Sequence, residues 1–369
     1  MKRIAAFVIA GTILGIVLSY LFLLIDWFPP KASEEAGPID SLFWWITYIS
    51  FIIFGWVMAG MSYCLWKFRR HGASDMRDGS HIHGNTALEI FWTAIPLAIV
   101  LGLGTWGWLV LNDNEASAAN PVKVTAKLYS FNFDYLYSAK GGFVPDDGKY
   151  VSRYPDSFTS STLVLPVDRQ LLLRVRTADR NVATGELEVV HGFWVAEWGV
   201  KRDATPGIRG DGEATIKVIP NRLGTYQVQC TELCGSGHSI MFNPAGVRVV
   251  SQADYDRWFA EQLAKAKTDA TAAAGNKGLA VFKTGGCGGC HAFTPAGSNG
   301  AVGPSLDDVS ADAAAAGKPL DAFIRESIVN PGAYTAKGFA QGMPGTYAQT
   351  IKGADLDELV KYLAKGGSQ

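Results

Sequence analysis

Two short cysteine motifs in the second half of the chain contain the residue types best suited to hold redox metals. The first motif, residues 230–241, reads CTELCGSGHSIM, and the second, residues 287–291, reads CGGCH. The fifth cysteine of the chain, Cys64, lies inside an apolar run. Close cysteine pairs next to a histidine are typical of metal or haem binding, and they fit a disulfide framework poorly.

The first motif offers a soft set of metal ligands. The thiols of Cys230 and Cys234 are followed by His238 and Met241. Thiolate and thioether ligands favour copper, whereas imidazole suits both copper and zinc. A mononuclear blue-copper site uses one cysteine, so a second cysteine at this spacing lets both sulfurs bridge two coppers. The alternatives are a structural zinc site, which has little use for methionine, or a disulfide.

A pair of coppers needs a second imidazole from elsewhere in the chain. His191, in the segment EVVHGFW at the end of a predicted strand, is the best candidate. Taken alone it would read as a structural histidine. Outside the two motifs the chain has three other histidines, His71, His81 and His83, and all three fall in a predicted cytoplasmic loop.

The second motif has the attachment pattern of a c-type haem. Cys287 and Cys290 would form the two thioether bonds, and His291 would be the proximal ligand of the iron. The rival interpretation is a thioredoxin-like redox pair, which would require a βαβ context. The second axial ligand in cytochromes c is usually methionine, and Met343 is the only methionine downstream of the motif.

Three apolar stretches, residues 5–25, 43–66 and 88–111, are each long enough to cross a bilayer as a helix. Basic residues precede the first stretch and follow the second, which predicts that both of these ends are cytoplasmic and that everything after residue 111 faces outward. The first stretch is either a retained helix or a signal peptide cleaved near Ala32.

The sequence predicts a multidomain fold. Residues 1–113 form a membrane anchor, and residues 114–252 contain short β-rich runs typical of a β-sandwich. A helix at 252–265 and a linker at 266–275 lead to an all-α domain at 276–369, whose last helix repeats Leu356, Leu359, Val360 and Leu363 on one face. The chain has 33 basic and 34 acidic residues, so its charge gives no sign of nucleic-acid binding.

Residues 43–251 resemble subunit II of haem–copper oxidases, which has a two-helix anchor and a cupredoxin domain carrying the dinuclear copper A motif. The segment GVKRDATPG, residues 199–207, is also similar to this family. The resemblance implies that Cys230 and Cys234 bridge two coppers. One copper would be bound by His191 and Met241, and the other by His238 and the backbone carbonyl of Glu232. The Glu232 side chain would help to bind magnesium at the boundary with the catalytic subunit.

Two further residues take a role from the same resemblance. Glu89 matches the family's glutamate at the cytoplasmic start of the second anchor helix, which implies proton uptake toward the catalytic subunit; the alternative is a carboxylate at a helix end. Tyr129 lies where the family has the tryptophan through which electrons enter. For Phe131 and Phe133, in the same segment, we expect packing in the core.

Residues 276–366 resemble a class I cytochrome c domain, with Gly303-Pro304 matching the loop beside the proximal ligand. Together the two resemblances imply the electron-input subunit of a caa-type cytochrome c oxidase in a prokaryotic plasma membrane. Its partners would be a catalytic subunit I, subunit III-like membrane subunits, and an external donor: cytochrome c, a small copper protein or a quinol-oxidising complex. The departure at Tyr129 favours the fused haem as the immediate donor to copper.

Two other functions remain open from the sequence. The chain could be the equivalent subunit of a copper-containing nitric oxide reductase, or a free-standing membrane electron carrier. A quinol-oxidase subunit is excluded if the copper ligands are real. The three apolar stretches contain no histidine, so the chain itself is not expected to hold the site that reduces oxygen.

Overall fold

The computed structural model describes residues 2–69, 72, 83–129, 131–144, 156–178, 189–206, 213–235, 237–339, 343, 345 and 347–366. Of the histidines considered above, His71 and His81 lie outside these ranges. The chain divides into two compact units, Met1–Ala116 and Ser117–Gln369.

The first unit contains three helices: α1 (Lys2–Leu23), α2 (Ala36–Lys67) and α3 (Thr86–Asn114). Each is long and apolar enough to cross a membrane, and their large apolar side chains are mostly exposed. The three predicted helices are therefore confirmed. Helices α2 and α3 extend beyond the predicted apolar runs at both ends, whereas α1 begins three residues earlier than its run and ends two residues before that run does.

Helices α1 and α2 pack closely through glycine. A Cβ atom on Gly55 of α2 would collide with the carbonyl oxygen of Gly11 and the backbone of Gly15 on α1. Trp56 Nε1 also donates a hydrogen bond to Thr12 Oγ1 across the contact, at 3.0 Å. Small residues four apart let membrane helices approach closely, where packing drives association. This contact gives a retained first helix a packing partner in α2.

We expect Gly55→Leu to separate α1 from α2, because the added side chain has no room against Gly11 and Gly15. Cysteines introduced at Thr12 and Trp56 should then cross-link poorly in membranes, whereas they should cross-link efficiently in the parent. Gly102→Leu is the matched control, since a Cβ at Gly102 of α3 meets nothing within 4 Å. A purified chain whose intact mass lacks the residues before Ala32 would contradict the retained helix.

The second unit begins with the predicted β-sandwich. Its strands are β1 (Val122–Tyr129), β2 (Asn132–Ser138), β3 (Ser157–Ser160), β4 (Leu163–Pro166), β5 (Leu171–Thr177), β6 (His191–Val195), β7 (Val200–Ala204), β8 (Glu213–Val218), β9 (Gly224–Gln229) and β10 (Phe242–Val250). One sheet has the order β3-β2-β1-β5-β8 and the other β4-β10-β9-β6-β7. His191 begins strand β6, whereas the sequence placed it at the end of a strand; residues 187 and 188 of that predicted strand lie outside the described ranges.

The core of the sandwich lies between the two sheets. Phe133 and Tyr135 of β2 meet Phe193 of β6 edge to face, with ring centroids 6.3 and 6.4 Å apart. On β5, every second residue faces the interior of the sandwich: Leu171, Leu173 and Val175 are all fully buried. Because each sheet buries one face against the other, the loops at the sandwich edge are held on a rigid base.

Helix α4 (Gln252–Ala274) follows β10 directly and crosses the segment predicted to be a linker. That prediction was wrong, because residues 266–274 contain five alanines and Lys267, which are strong helix formers. The start of α4 is fixed to the sandwich by aromatic contacts, with Trp258 5.1 Å from Tyr137 and Phe259 5.1 Å from Phe158 between centroids.

The C-terminal part is built from short helices around one core. It contains α5 (Lys277–Thr284), β11 (His291–Phe293), β12 (Ser298–Ala301), α6 (Val309–Ala315), α7 (Leu320–Val329), α8 (Tyr347–Thr350) and α9 (Ala354–Ala364). The four predicted apolar positions of the last helix are all buried. The sequence predicts an all-α domain, and the structure adds a small β11–β12 hairpin to it. The hairpin lies directly after the second cysteine pair.

Candidate metal centres

The first candidate centre is built by the loop between β9 and β10. Cys230 follows β9, His238 begins a single helical turn, and Met241 precedes β10. A backbone hydrogen bond of 3.0 Å from Cys230 N to Met241 O closes the loop at its base. His191 at the start of β6 is the contribution from outside the loop. The adjacent strands therefore bring together residues that are distant in sequence.

The donor atoms of these residues converge on the two cysteine sulfurs. Cys230 Sγ and Cys234 Sγ are 3.8 Å apart. His191 Nδ1 lies 3.9 Å from Cys230 Sγ, and His238 Nδ1 lies 3.4 Å from Cys234 Sγ. Cys230 Sγ is also 3.2 Å from the carbonyl oxygen of Glu232, and Cys234 Sγ is 3.8 Å from Met241 Sδ. Two thiols, two imidazoles, a thioether and a carbonyl fit a pair of soft metal ions.

Burial and local hydrogen bonds prepare Cys230 for metal binding. Burial raises the pKa of the Cys230 thiol, but contacts with His191 and with the backbone amide of Gly192 outweigh it and lower the pKa to about 7. The thiolate is the form that binds metals. His191 is fully buried and Met241 nearly so, which keeps the donor set out of bulk water.

The Glu232 side chain points away from this donor set into an ion pair. Lys201 Nζ lies 2.6 Å from Glu232 Oε1 and 3.0 Å from Asp203 Oδ1. The hydrogen bond from Lys201 lowers the pKa of Glu232, and the carboxylate in turn raises the pKa of Lys201. The carboxylate of Glu232 is about one-third exposed, so it is open to a partner on that side.

The second candidate centre is an apolar cavity in the C-terminal domain. Its volume is about 200 Å³, it is partly open to solvent, and its wall includes Cys287, Cys290, His291 and Met343. The remaining wall is mainly aliphatic and aromatic. An apolar cavity with two thiols, an imidazole and a thioether on its wall fits a covalently attached haem.

His291 is oriented by its backbone surroundings. Its Nδ1 lies 2.8 Å from the carbonyl oxygen of Pro304, so Nδ1–H donates there and Nε2 is left as the acceptor. Burial lowers the pKa of His291, while the hydrogen bond to Pro304 opposes that shift. A neutral imidazole with a fixed tautomer is the form that ligates iron.

The two cysteines of this motif lack the character of a redox pair. Burial raises the pKa of Cys287 to about 12 and that of Cys290 to about 11. Reactive thiols in redox motifs have lowered pKa values instead. All five cysteines of the chain are described, and none forms a disulfide.

The turn between β1 and β2 contacts the haem-attachment segment. Tyr129 is almost fully buried and belongs to the apolar core of the C-terminal domain. Its hydroxyl donates to Asp134 Oδ2 at 3.0 Å. Phe133 is buried in the sandwich as expected, but Phe131 is only half-buried and lines the cavity. The expectation that Phe131 packs in the core was therefore wrong.

Glu89 lies in the first turn of α3. Its Oε1 accepts a hydrogen bond of 3.0 Å from the backbone amide of Asn85, and the Asn85 side chain accepts one from Leu88 N. This reciprocal arrangement caps the helix. It supplies a structural role for Glu89 in addition to the one that the resemblance implies.

Sequence reasoning missed that Phe131 and Ile240 border the haem cavity. Ile240 is only one residue from Met241 in the copper motif, yet it forms part of the cavity wall. The sequence contains one weak signal, which is the apolar Ile240 between His238 and Met241; its exposure is seen only in the structure. Its role in the cavity wall is recognisable only from the structure, in which the C-terminal domain packs against the copper loop.

Three family models match consecutive parts of the chain. The transmembrane domain of cytochrome c oxidase subunit II matches residues 19–108, its periplasmic domain matches residues 125–250, and cytochrome c matches residues 275–366. The chain belongs to the cytochrome c oxidase subunit II family. It carries a cytochrome c domain in addition.

Curated relatives support this family. Cytochrome c oxidase subunit 2 of Synechocystis sp. is 26% identical over 311 residues, covering 68% of this chain and 83% of the relative. The subunit 2 of Alkalihalophilus pseudofirmus is 27% identical over 311 residues, covering 80% of this chain and 78% of the relative. A solved structure, the periplasmic domain of subunit II of cytochrome oxidase of Bradyrhizobium japonicum, is 23% identical over 41% of this chain and 99% of that chain, with a TM-score of 0.29.

Membership of the subunit II family gives the coarse function. The chain is an electron-input subunit of a haem–copper oxidase complex, and its domains are those that carry copper A and haem c. It is a membrane protein whose β-sandwich corresponds to a periplasmic domain.

Asp134 generates a testable pH dependence in this subunit II chain. Burial raises the pKa of Asp134 to about 6, although the hydrogen bond from Tyr129 and the charge of Lys127 oppose the shift. The raised pKa means that the folded state favours the protonated acid. Stability associated with Asp134 is therefore fully present below about pH 4 and is lost as the pH rises through about 6.

We expect Asp134→Asn to raise the free energy of unfolding at about pH 7.5 by up to about 3 kcal/mol, with the gain vanishing near pH 4. Asparagine keeps an acceptor for Tyr129 and removes the buried charge. Thermal unfolding of the purified chain at a series of pH values measures the difference. Asp256→Asn, on an exposed face of α4, is the control. A gain for Asp134→Asn that is the same at every pH would count against this account.

Proposed function

We propose that this chain accepts electrons from an external donor at a covalent haem c and delivers them through a dinuclear copper centre to the catalytic subunit of a respiratory terminal oxidase. The observation that carries the proposal is the convergence of six copper-type donor atoms beside a cavity lined by the CGGCH motif, both within one compact unit. In the complete enzyme, the partner subunit reduces oxygen to water and pumps protons.

The residues of the cavity have distinct roles in binding the haem. Cys287 and Cys290 would form the two thioether bonds, and their neutral, half-buried thiols suit an apolar site. His291 would present Nε2 to the iron because Pro304 holds Nδ1. Met343, on the same cavity wall, would supply the second ligand of the iron. One covalent haem and one copper pair, when bound, each carry a single electron.

The copper ligands are divided between two metal ions. Cys230 and Cys234 would hold both metal ions, so the distance from a histidine to one sulfur does not decide which copper it would bind. His191 and Met241 would complete one copper, and His238 with the carbonyl of Glu232 would complete the other. The closed loop and the strand base fix these ligands, so that little reorganisation accompanies a change of charge.

The remaining roles depend on partners. The Glu232 carboxylate, exposed beside Lys201, binds magnesium together with groups of the catalytic subunit I. Glu89 takes part in proton uptake in addition to capping α3. The three helices lie in the inner membrane of a prokaryotic cell, in contact with subunits I and III, and both redox domains face the outer side. The external donor is cytochrome c, a small copper protein or a quinol-oxidising complex.

Replacing one bridging sulfur separates the two steps of electron delivery. In the co-purified complex, we expect Cys234→Ser to remove the hyperfine pattern of two equivalent copper nuclei and to abolish oxygen uptake, because one bridging ligand is lost. The haem c band should still become reduced by the donor, since its own ligands are intact. Stopped-flow spectroscopy with an oxygen electrode measures both effects. Cys64→Ser, an exposed position on α2, is the control.

Two results would oppose the proposal. A haem that is removed by acid–acetone extraction would rule out covalent attachment to Cys287 and Cys290. A wild-type complex that consumes nitric oxide but not oxygen would assign the chain to a nitric oxide reductase. The family relatives, which are named cytochrome c oxidase subunit 2, favour oxygen.

Magnesium binding is tested separately from copper binding. We expect Glu232→Gln to lower the occupancy of Mn²⁺ substituted for magnesium in the complex, because a charged oxygen ligand is lost. The copper spectrum should be unchanged, since Glu232 contributes only its carbonyl oxygen there. Electron paramagnetic resonance measures both metals in one sample. Full Mn²⁺ occupancy in the Glu232→Gln complex would remove Glu232 from the magnesium site.

A further inference from the structure

The ring of Phe131 lies directly against the copper loop. Phe131 belongs to the short turn between β1 and β2. A Cβ atom on Gly237 would overlap several atoms of the Phe131 ring, and one on Gly235 would lie 3.6 Å from Phe131 Cζ. Gly237 is joined by a peptide bond to His238, one of the proposed copper ligands. The absence of a side chain at Gly237 therefore allows an aromatic ring to pack on the backbone next to that ligand.

The same ring borders the haem cavity. Phe131 shares the cavity wall with Cys287, Cys290 and His291. Ile240, from the helical turn that begins at His238, lies on this wall as well. One aromatic side chain thus contacts the copper loop on one side and the haem cavity on the other. Along this line, protein atoms in contact join the copper loop to the wall of the haem cavity.

Tyr129, two residues earlier, makes a different set of contacts. It is 3% exposed, and its hydroxyl is tied to Asp134 of the sandwich. Its Oη would lie 3.6 Å from a Cβ placed on Gly289, between the two cysteines of the haem motif. Tyr129 therefore joins the sandwich to the haem-attachment segment. These contacts position the cytochrome domain.

The attachment of the cytochrome domain supports a fixed geometry. Helix α4 is continuous from the sandwich to Ala274, and Lys283 of α5 forms an ion pair of 2.8 Å with Asp269 of α4. Tyr129 is packed among the core residues of the cytochrome domain. The ring of Phe131 is consequently held between two surfaces whose separation is set by packed elements.

We propose that Phe131 is the side chain that couples the haem to the copper pair, and that Tyr129 positions the cytochrome domain for this transfer. The inference rests on the proposed function and names the route within it. The step moves one electron from ferrous haem iron to the oxidised copper pair; no covalent bond forms or breaks, and no proton is transferred. Electron transfer through packed atoms is faster than across a gap, so the ring of Phe131 shortens the effective path to His238.

The test compares Phe131→Leu with Phe131→Tyr in the purified complex. A light-activated reductant reduces haem c, and the reoxidation of haem c is followed together with the reduction of copper. We expect transfer in Phe131→Leu to be several-fold slower than in wild type, because the smaller side chain leaves a gap. Phe131→Tyr keeps the ring and should retain the wild-type rate. The haem band, the copper resonance spectrum and the rate of haem reduction by the donor should be unchanged in both.

Two further variants separate the role of the Phe131 ring from the role of Tyr129 in positioning the cytochrome domain. Gly237→Ala leaves Phe131 intact but displaces its ring, so it should also slow the transfer while the copper resonance shows both metals in place. Tyr129→Phe removes only the hydroxyl that binds Asp134 and keeps the ring against the haem motif. It should slow the transfer as well, because the bond to Asp134 is part of the contact that positions the cytochrome domain, and unlike Phe131→Leu it should also lower the thermal unfolding temperature of the chain.

The outcomes distinguish this inference from the function on which it rests. Transfer at the wild-type rate in Phe131→Leu would overturn the role of Phe131 and leave the proposed function standing. Slowing in Tyr129→Phe with normal transfer in Phe131→Leu would overturn it too, by assigning the route to Tyr129. If wild-type haem reduces no copper at all, the proposed function itself fails.

Discussion

The closure of the β9–β10 loop is the constraint on which the copper centre and its contact with the haem cavity depend. The backbone hydrogen bond from Cys230 to Met241 continues the pairing of the two strands and joins the first and last residues of the copper motif. Because the base of the loop is fixed, its sulfurs and His238 are held close to His191 on the neighbouring strand. The same closure presents Ile240 and the backbone at Gly237 toward the cytochrome domain.

The pKa of Cys230 is shifted in the opposite direction from the pKa values of Cys287 and Cys290, and the difference follows from their surroundings. Cys230 is near an imidazole and a backbone amide, which stabilise the thiolate despite burial. Cys287 and Cys290 are half-buried on the wall of the apolar cavity, where desolvation raises their pKa values and keeps the thiols neutral. The first environment suits sulfurs that bind metal directly. The second suits sulfurs that end as uncharged thioethers in an apolar cavity.

A buried polar pair lies where the two outer domains meet. Tyr129 and Asp134 share a hydrogen bond, and burial raises the pKa of both groups. Such a pair is costly unless it is satisfied, and a satisfied pair fixes one arrangement of the surrounding elements. Together with helix α4, it makes the connection between the sandwich and the cytochrome domain more rigid than a flexible linker would be. Rigid placement is what a fixed electron route requires.

The sequence alone determined the membrane helices, the β-sandwich, the last helix of the cytochrome domain and the two metal-binding motifs, because each depends on local patterns or on the intrinsic chemistry of its ligands. It also selected His191, since two coppers need two imidazoles. The tertiary structure decided how His191 meets Cys230, that α4 continues through residues 266–274, that Gly55 lets α1 pack on α2, and that Phe131 lies between the two centres. These features depend on contacts between residues far apart in the chain, which local patterns do not encode.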